Sequence, residues 1–207
     1  MEHVEDVWAE QAVASGMAVL DLRRLGDREF EGDSLPMPGG RAYGGQVLAQ
    51  SLLSAGLTVD EDRHMHSMHG YFLRPGDASR PITFEVEILR DGNSFSARRT
   101  HAFQDGKPIL SMIASFQLDQ DGPEHAVSMP EVPGPDAVAS PIDVLSRFEG
   151  DPRADYWLKR TAFDLRPVEG LVLFEPDPRP KQYQTTWVRM RRPVEVSDLV
   201  HRALLAY

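Results

Sequence analysis

The chain has 207 residues, a formal net charge of −10 and no cysteine. Its acidic balance argues against nucleic acid or an anionic membrane as the main partner, because binding to phosphates requires a basic surface. The lack of cysteine excludes disulfides, thiolate nucleophiles and cysteine-ligated metal sites. It also favours a reducing, cytoplasmic setting.

The first forty residues predict three short segments before the main helix. Residues 1–14 are polar with scattered apolar positions, and they predict a short helix or a partly ordered arm. Residues 17–30 contain a Gly-Asp pair at 26–27, which indicates a strand, a turn and a return strand. Residues 35–40 must form a loop, because two prolines and two glycines prevent a helix or a strand ladder.

Residues 44–59 predict the helix around which the chain is organised. The stretch contains no charged residue and opens on two glycines. Its apolar positions form two adjacent stripes at helical spacing, which is typical of a helix buried on nearly all sides. The stripes consist of Leu48, Leu52, Ala55 and Val59, and of Ala49, Leu53 and Gly56. The helix is too short and too polar to span a bilayer.

An antiparallel meander follows the helix. Residues 64–74 predict a first strand, and residues 82–88 alternate between apolar and polar side chains, as a half-buried strand does. Asp-Gly pairs at 91–92 and 105–106 predict two tight hairpin turns. Residues 94–104 predict the strand between them. Phe95, Ala97 and Phe103 are predicted to lie on one face of it, which Arg99 and His101 share. Residues 109–118 predict a central strand.

The remaining chain predicts a linker and the start of a second unit. Five prolines between residues 119 and 141 indicate an extended linker, followed by short helices near 144–148 and 156–160. Residues 163–169 and 182–192 predict strands, and Ser197 is a candidate N-cap for an apolar helix. We expect the domains to be residues 15–118, a linker at 119–160, and an incomplete unit at 161–207.

Three runs, RAYGGQVLAQSL (41–52), HSMHGYFLRPGD (66–77) and LRDGNSFSARR (89–99), closely resemble the acyl-CoA thioesterase II family. The resemblance implies an α+β double hotdog, in which a curved antiparallel sheet wraps a central helix. It would comprise a complete first hotdog and part of a second. The family hydrolyses fatty acyl-CoA to fatty acid and coenzyme A, without a metal or redox cofactor.

The resemblance also implies where the catalytic groups lie. Family members carry a catalytic aspartate shortly after the residues that match 200–207, and a Thr or Ser and a Gln further along. These positions would lie beyond Tyr207, so we expect little or no hydrolase activity from the 207 residues alone. Neither a cysteine nor a Gly-X-Ser-X-Gly motif is present, which favours a water activated by a carboxylate or Gln.

Candidate substrate-binding residues fall into two groups. Gly44, Gly45 and Gln46 would offer backbone N–H groups at a helix start to a thioester carbonyl; alternatively, the glycines only permit tight packing. His66 matches a family histidine near the acyl-CoA site, or is an ordinary strand histidine. Asn93 and its neighbours Ser94 and Phe95 either fix the hairpin or line the groove between hotdogs.

Charged and imidazole clusters allow two further hypotheses. Arg90, Arg98 and Arg99 could bind the phosphates of coenzyme A, or could be solvated charges on a sheet face. A metal site at His64, His66 and His69 is disfavoured, because His69 faces away from the other two on a strand and no carboxylate lies between them.

Two alternative functions remain open. The chain could be a non-catalytic module that binds acyl-CoA or assembles with other subunits. An enoyl-CoA hydratase is disfavoured, because residues 40–50 contain neither the Asp nor the His that this chemistry needs near the helix start. A homo-oligomer is expected, because hotdog sheets usually continue across subunits in relatives.

Overall fold

The computed structural model describes residues 2–174, 176 and 182–207. The chain forms two compact units. One comprises Met17–Gly122 with Glu195–Tyr207, and the other comprises Met1–Gly16 with Pro123–Val194. The domain boundaries expected at 118/119 and 160/161 stay predictions.

The first unit contains a six-stranded antiparallel sheet and a helix packed on it. Its strands lie in the order β1-β2-β4-β5-β6-β3, and helix α2 (Gly44–Gly56) contacts β2 to β6. The predicted central helix and the meander of β4, β5 and β6 are therefore confirmed. The strands are β1 Arg23–Arg24, β2 Glu29–Gly32, β3 Arg63–Phe72, β4 Ile82–Asp91, β5 Phe95–Gln104 and β6 Lys107–Leu118.

Helix α2 is buried even at its polar positions. Gln46, Gln50, Ser51 and Ser54 are fully buried. The two serine hydroxyls donate to carbonyls within the helix, and Gln50 Nε2 donates to the carbonyls of Val19 (2.7 Å) and Asp33 (2.8 Å). Because an unsatisfied buried polar group is destabilising, these hydrogen bonds are what allow an uncharged but polar helix to occupy the core.

Phe95, Ala97 and Phe103 lie on one face of β5 as predicted, but the opposite face is the buried one. Ser96, Arg98, Thr100 and Ala102 are buried towards α2, whereas Phe95 on the opposite face is 45% exposed. Periodicity favours the aromatic positions, because an arginine is rarely fully buried unless it is paired. Arg98 is paired: its Nη1 lies 2.8 Å from Oδ1 of Asp91.

Two turns differ from expectation and one agrees. Helix α1 (Glu2–Ala18) includes residues 17 and 18, so the first hairpin begins only at Arg23. Asp91 pairs with Ser96, and Gly92 N donates to Phe95 O (2.8 Å), so the turn lies at Asn93 and Ser94 and not at the predicted Asp91 and Gly92. The turn at 105–106 is confirmed as a two-residue hairpin, in which Asp105 (φ 50°) and Gly106 (φ 70°) adopt the required positive φ.

The second unit holds short helices and a two-stranded sheet. Strands β7 (Phe163–Pro167) and β8 (Thr186–Met190) pair antiparallel. Asp164 accepts hydrogen bonds from Arg166 Nε and Arg189 Nε. The helices predicted near 144–148 and 156–160 are confirmed as α3 (Pro141–Leu145) with a 3-10 turn at Ser146–Phe148, and as α4 (Pro152–Arg160). A further 3-10 turn at Pro135–Ala137 lies within the predicted linker.

Helix α5 (Asp198–Ala206) belongs to the first unit, where it packs antiparallel to α2. Ser197 caps it as predicted, accepting a hydrogen bond from Val200 N. Gly56 at the end of α2 faces Leu199, and Gly45 at its start faces Tyr207. Among the described helices, none has the length and apolar character needed to cross a membrane.

Candidate functional site

The start of α2 is built from two glycines that admit close neighbours. A Cβ at Gly44 would lie 3.1 Å from Cζ of Phe72, and a Cβ at Gly45 would overlap the backbone carbonyl of Tyr207. The first N–H groups of a helix have no acceptor within it, so they are available to other partners. Both glycines therefore have a packing role, and their role in ligand binding stays a prediction.

The side chain of Gln46 is already engaged. Its Oε1 accepts from Leu35 N (2.9 Å), its Nε2 donates to Asp33 O (3.1 Å), and the residue is fully buried. The amide thus fixes the loop that precedes α2. Because the side-chain amide is engaged, Gln46 could contact a substrate only through its backbone N–H.

A cavity of about 380 Å³ lies beside the start of α2. Segment 41–44, the loop after β3 and the first part of β6 form its walls, and Ala42 N donates to Gly76 O (2.9 Å) where the first two meet. Two arginines, Arg41 and Arg74, are part of the lining. The other lining residues are Ala42, Gly44, Val47, Phe72, Leu73, Pro75, Gly76 and Ile109. Sequence reasoning missed the arginines, although both lie within the family-like runs.

His66 and Phe95 meet on the face of the sheet opposite α2. His66 Nε2 lies 2.9 Å from Ser115 Oγ, and its ring contacts that of Phe95 edge-on at 5.9 Å between centroids. Ser115 points away from the core, because its neighbours Ala114 and Phe116 are buried. The structure therefore brings these two predicted residues together, but not with Gly44, Gly45 and Gln46.

The β4–β5 connection holds the remaining predicted residues. Ser94 Oγ accepts from Gln120 Nε2 (3.1 Å), and Ser94 O accepts from Leu118 N (3.0 Å). Asn93 is exposed. Ser94 therefore fixes the turn against the end of β6, which agrees with the structural alternative for this run, while substrate contacts stay a prediction.

Arg98 is not available for a phosphate. It is 2% exposed; its Nε donates to Thr58 Oγ1 (2.9 Å) and its Nη2 to Thr58 O (3.0 Å), in addition to the ion pair with Asp91. The hydrogen bond from Arg98 lowers the pKa of Asp91. Arg99 is paired with Glu87 at 2.9 Å, and Arg90 is exposed. The LRDGNSFSARR run thus joins the turn to the C-terminal end of α2.

The imidazoles of β3 have separate partners. His64 Nδ1 lies 2.9 Å from Asp198 Oδ2, whereas His69 stacks edge-on against Tyr71 at 4.9 Å. Within the part of the chain that the structure describes, no three His, Asp or Glu side chains are grouped as metal ligands.

Comparison with known proteins gives a consistent result. Residues 33–117 match the family profile described as acyl-CoA thioesterase N-terminal domain. The chain is 37% identical to human acyl-coenzyme A thioesterase 8, over 91% of this chain and 62% of that protein. It is 32% identical to acyl-CoA thioesterase 2 of Haemophilus influenzae, over 91% of this chain and 67% of that protein.

The chain belongs to the acyl-CoA thioesterase II family. A hotdog-fold protein from Alicyclobacillus acidocaldarius superposes with a TM-score of 0.72 at 20% identity, covering 93% of this chain and 68% of that one, which establishes the fold. The predicted α+β hotdog is therefore confirmed. The chain spans less than two thirds of the human thioesterase it matches.

The two faces of the sheet carry different candidate residues. The face that carries α2 also carries α5, the cavity and both lining arginines. The opposite face carries His66 and Phe95, both exposed. The meeting point of Gly45 and Tyr207 and the adjacent cavity lie on the α2 face, and together they form the candidate site.

Proposed function

We propose that the protein hydrolyses acyl-CoA thioesters to a free fatty acid and coenzyme A. The observation that carries this proposal is the match to acyl-CoA thioesterases from a human and a bacterial source over 91% of the chain. The geometry supports it, because the end of α5 meets the start of α2 beside a cavity.

The proposed chemistry uses water as the nucleophile. A carboxylate or Gln would orient the attacking water, and a carboxylate would accept its proton. Backbone N–H groups would stabilise the oxyanion that forms on the thioester carbonyl before coenzyme A leaves as the thiol. Gly44 and Gly45 are the proposed donors. The family aspartate would follow the residues that match 200–207, and α5 brings Tyr207 against Gly45.

The other substrate contacts remain proposals of the same kind. The backbone N–H of Gln46 would be a third donor at the start of α2, next to those of Gly44 and Gly45. His66, Asn93, Ser94 and Phe95 would contact acyl-CoA on the opposite face of the sheet, where His66 and Phe95 are exposed. A His66→Gln variant with a raised KM and unchanged kcat would support that contact, whereas unchanged kinetic constants would contradict it.

The proposal is tested by release of free coenzyme A. Palmitoyl-CoA and a short-chain acyl-CoA are incubated with the 207-residue chain and with the full product of its gene, and the liberated thiol is measured with a disulfide dye. Thiol release by the full product is expected. Acyl-CoA binding without release would instead favour the non-catalytic module, and hydration of an enoyl-CoA would favour the hydratase.

We further propose a cytoplasmic homo-oligomer. Strand β3 forms one edge of the sheet, paired only with β6 among the described strands, and Tyr71 and Phe72 near its end are more than half exposed. A sheet edge whose backbone groups are not paired on one side, with exposed aromatic rings at its end, favours pairing with another chain. Light scattering of the purified protein tests the oligomer, and subcellular fractionation tests the location. A monomer at all concentrations would refute the first.

A further inference from the structure

We infer that Arg41 and Arg74 form the binding site for the diphosphate of coenzyme A, with the adjacent branched, apolar part of pantetheine in the cavity between them. This inference rests on the proposed function, because acyl-CoA is the substrate that it places. It moves the phosphate site away from Arg98 and Arg99, which are paired with Asp91 and Glu87.

The charges of the two arginines are not neutralised by the protein. Among the described residues, neither guanidinium lies within ion-pair distance of a carboxylate, and the only hydrogen bond of the Arg74 side chain goes to a neutral carbonyl, that of Pro108 (2.8 Å). Both residues are exposed. In a chain with a net charge of −10, two unneutralised cations lining one cavity favour an anionic ligand.

Asp77, an acidic residue bridged to Arg41 through the backbone, has other partners for its carboxylate. Asp77 pairs with Arg41 through the backbone only. Its carboxylate accepts hydrogen bonds from the N–H (2.9 Å) and hydroxyl (2.7 Å) of Ser79, and lies 3.4 Å from Arg80 Nε. Arg41 therefore keeps its donors for a ligand, and a guanidinium can form two parallel hydrogen bonds to a phosphate.

The cavity itself matches an amphiphilic ligand. Val47, Phe72 and Ile109 supply apolar walls, while the arginines supply the charge. Its volume, about 380 Å³, lies in the range of small-molecule sites. Coenzyme A carries a gem-dimethyl group next to its diphosphate, so one end of the ligand presents both kinds of surface that the cavity offers.

Calorimetric titration of the 207-residue chain with coenzyme A tests the inference. The variants are Arg41→Gln, Arg74→Gln and the double variant; Arg28→Gln, an exposed arginine of the β1–β2 hairpin, is the matched control. Each cavity variant is expected to weaken binding about tenfold, the double variant more, and the control not at all. Pantetheine, which lacks phosphate, should bind more weakly than coenzyme A and be insensitive to the substitutions.

Three results would overturn the inference: equal coenzyme A affinity in the parent and the double variant, no measurable coenzyme A binding by the parent, or inorganic pyrophosphate binding as tightly as coenzyme A. The last result would mean a site for free phosphate compounds. Arginine-dependent coenzyme A binding by a full-length protein that releases no thiol would support the inference while refuting the proposed hydrolase. The two proposals can therefore fail separately.

Discussion

Nδ1 of His64 lies 2.9 Å from Oδ2 of Asp198, and this contact joins β3 to the first turn of α5. The same carboxylate oxygen accepts from Arg202 Nε at 2.6 Å, and Arg202 Nη1 donates to Met65 O at 3.1 Å. The contact between His64 and Asp198 and the hydrogen bond from Arg202 to Met65 O hold α5 beside the sheet, at the end of the helix opposite Tyr207. Helix α5, whose end lies against the start of α2, is thus also fixed at its own start.

The Asp198 contact predicts a pH-dependent contribution to stability. The hydrogen bond from Arg202, followed by that with His64, lowers the pKa of Asp198. A carboxylate with a lowered pKa stabilises the fold at pH values above its unfolded pKa, and this contribution is lost as the pH falls through the folded pKa. Because the side chain is about half exposed, Asp198→Asn should lower the free energy of unfolding by at most about 1 kcal/mol at pH 7.

Urea denaturation at pH 7 and near pH 3 measures this effect. The difference between Asp198→Asn and the parent should shrink at the lower pH. Asp62→Asn is the control, because Asp62 is exposed and has no described side-chain partner. A difference that is the same at both pH values would contradict the electrostatic explanation.

The glycines at the two ends of α2 allow α5 to pack closely, so replacing them should destabilise the fold. Gly45→Ala would place a methyl group on the Tyr207 carbonyl, and Gly56→Ala would place one on the Leu199 side chain. Each should lower the free energy of unfolding by about 1–3 kcal/mol, although alanine is the better helix former. Gly134→Ala is the control, since a Cβ there meets nothing within 4 Å. Thermal denaturation should show lower melting temperatures for Gly45→Ala and Gly56→Ala than for the control Gly134→Ala. A Gly45→Ala protein more stable than the parent would refute the close contact between Gly45 and Tyr207.

The pair of the buried Arg98 and the half-exposed Asp91 predicts a larger effect than the exposed pair of Arg99 and Glu87. Asp91→Asn leaves the Arg98 guanidinium, 2% exposed, without its carboxylate, and should cost about 1–3 kcal/mol of unfolding free energy. Glu87→Gln removes an exposed pair and should cost no more than about 1 kcal/mol. Chemical denaturation at pH 7 compares the two. Equal effects would mean that burial does not strengthen the Arg98 contact.

Local patterns predict α2, the meander and the turn at 105–106, because each depends on the periodicity or turn preference of neighbouring residues. The face of β5 is not predictable in this way. Arg98 occupies the core only because Thr58 and Asp91, 40 and 7 positions away, satisfy its donors. The cavity also depends on residues that are distant in the sequence. The segments that carry Arg41 and Arg74 meet through a hydrogen bond between Ala42 and Gly76.

Gln50 provides a test of how α2 keeps its polar residues in the core. Replacing it with methionine, which has a similar volume, would remove the donor that lies 2.7 Å from the Val19 carbonyl and 2.8 Å from the Asp33 carbonyl. The Asp33 carbonyl would keep Gln46 Nε2 at 3.1 Å, whereas the Val19 carbonyl would lose its described side-chain donor. The expected loss is about 1–3 kcal/mol of unfolding free energy, since a buried acceptor without a partner is destabilising. Gln11→Met, an exposed position of α1, is the control and should change the free energy of unfolding by less than about 0.5 kcal/mol. A Gln50→Met protein as stable as the parent would mean that water or a shifted loop satisfies the Val19 carbonyl.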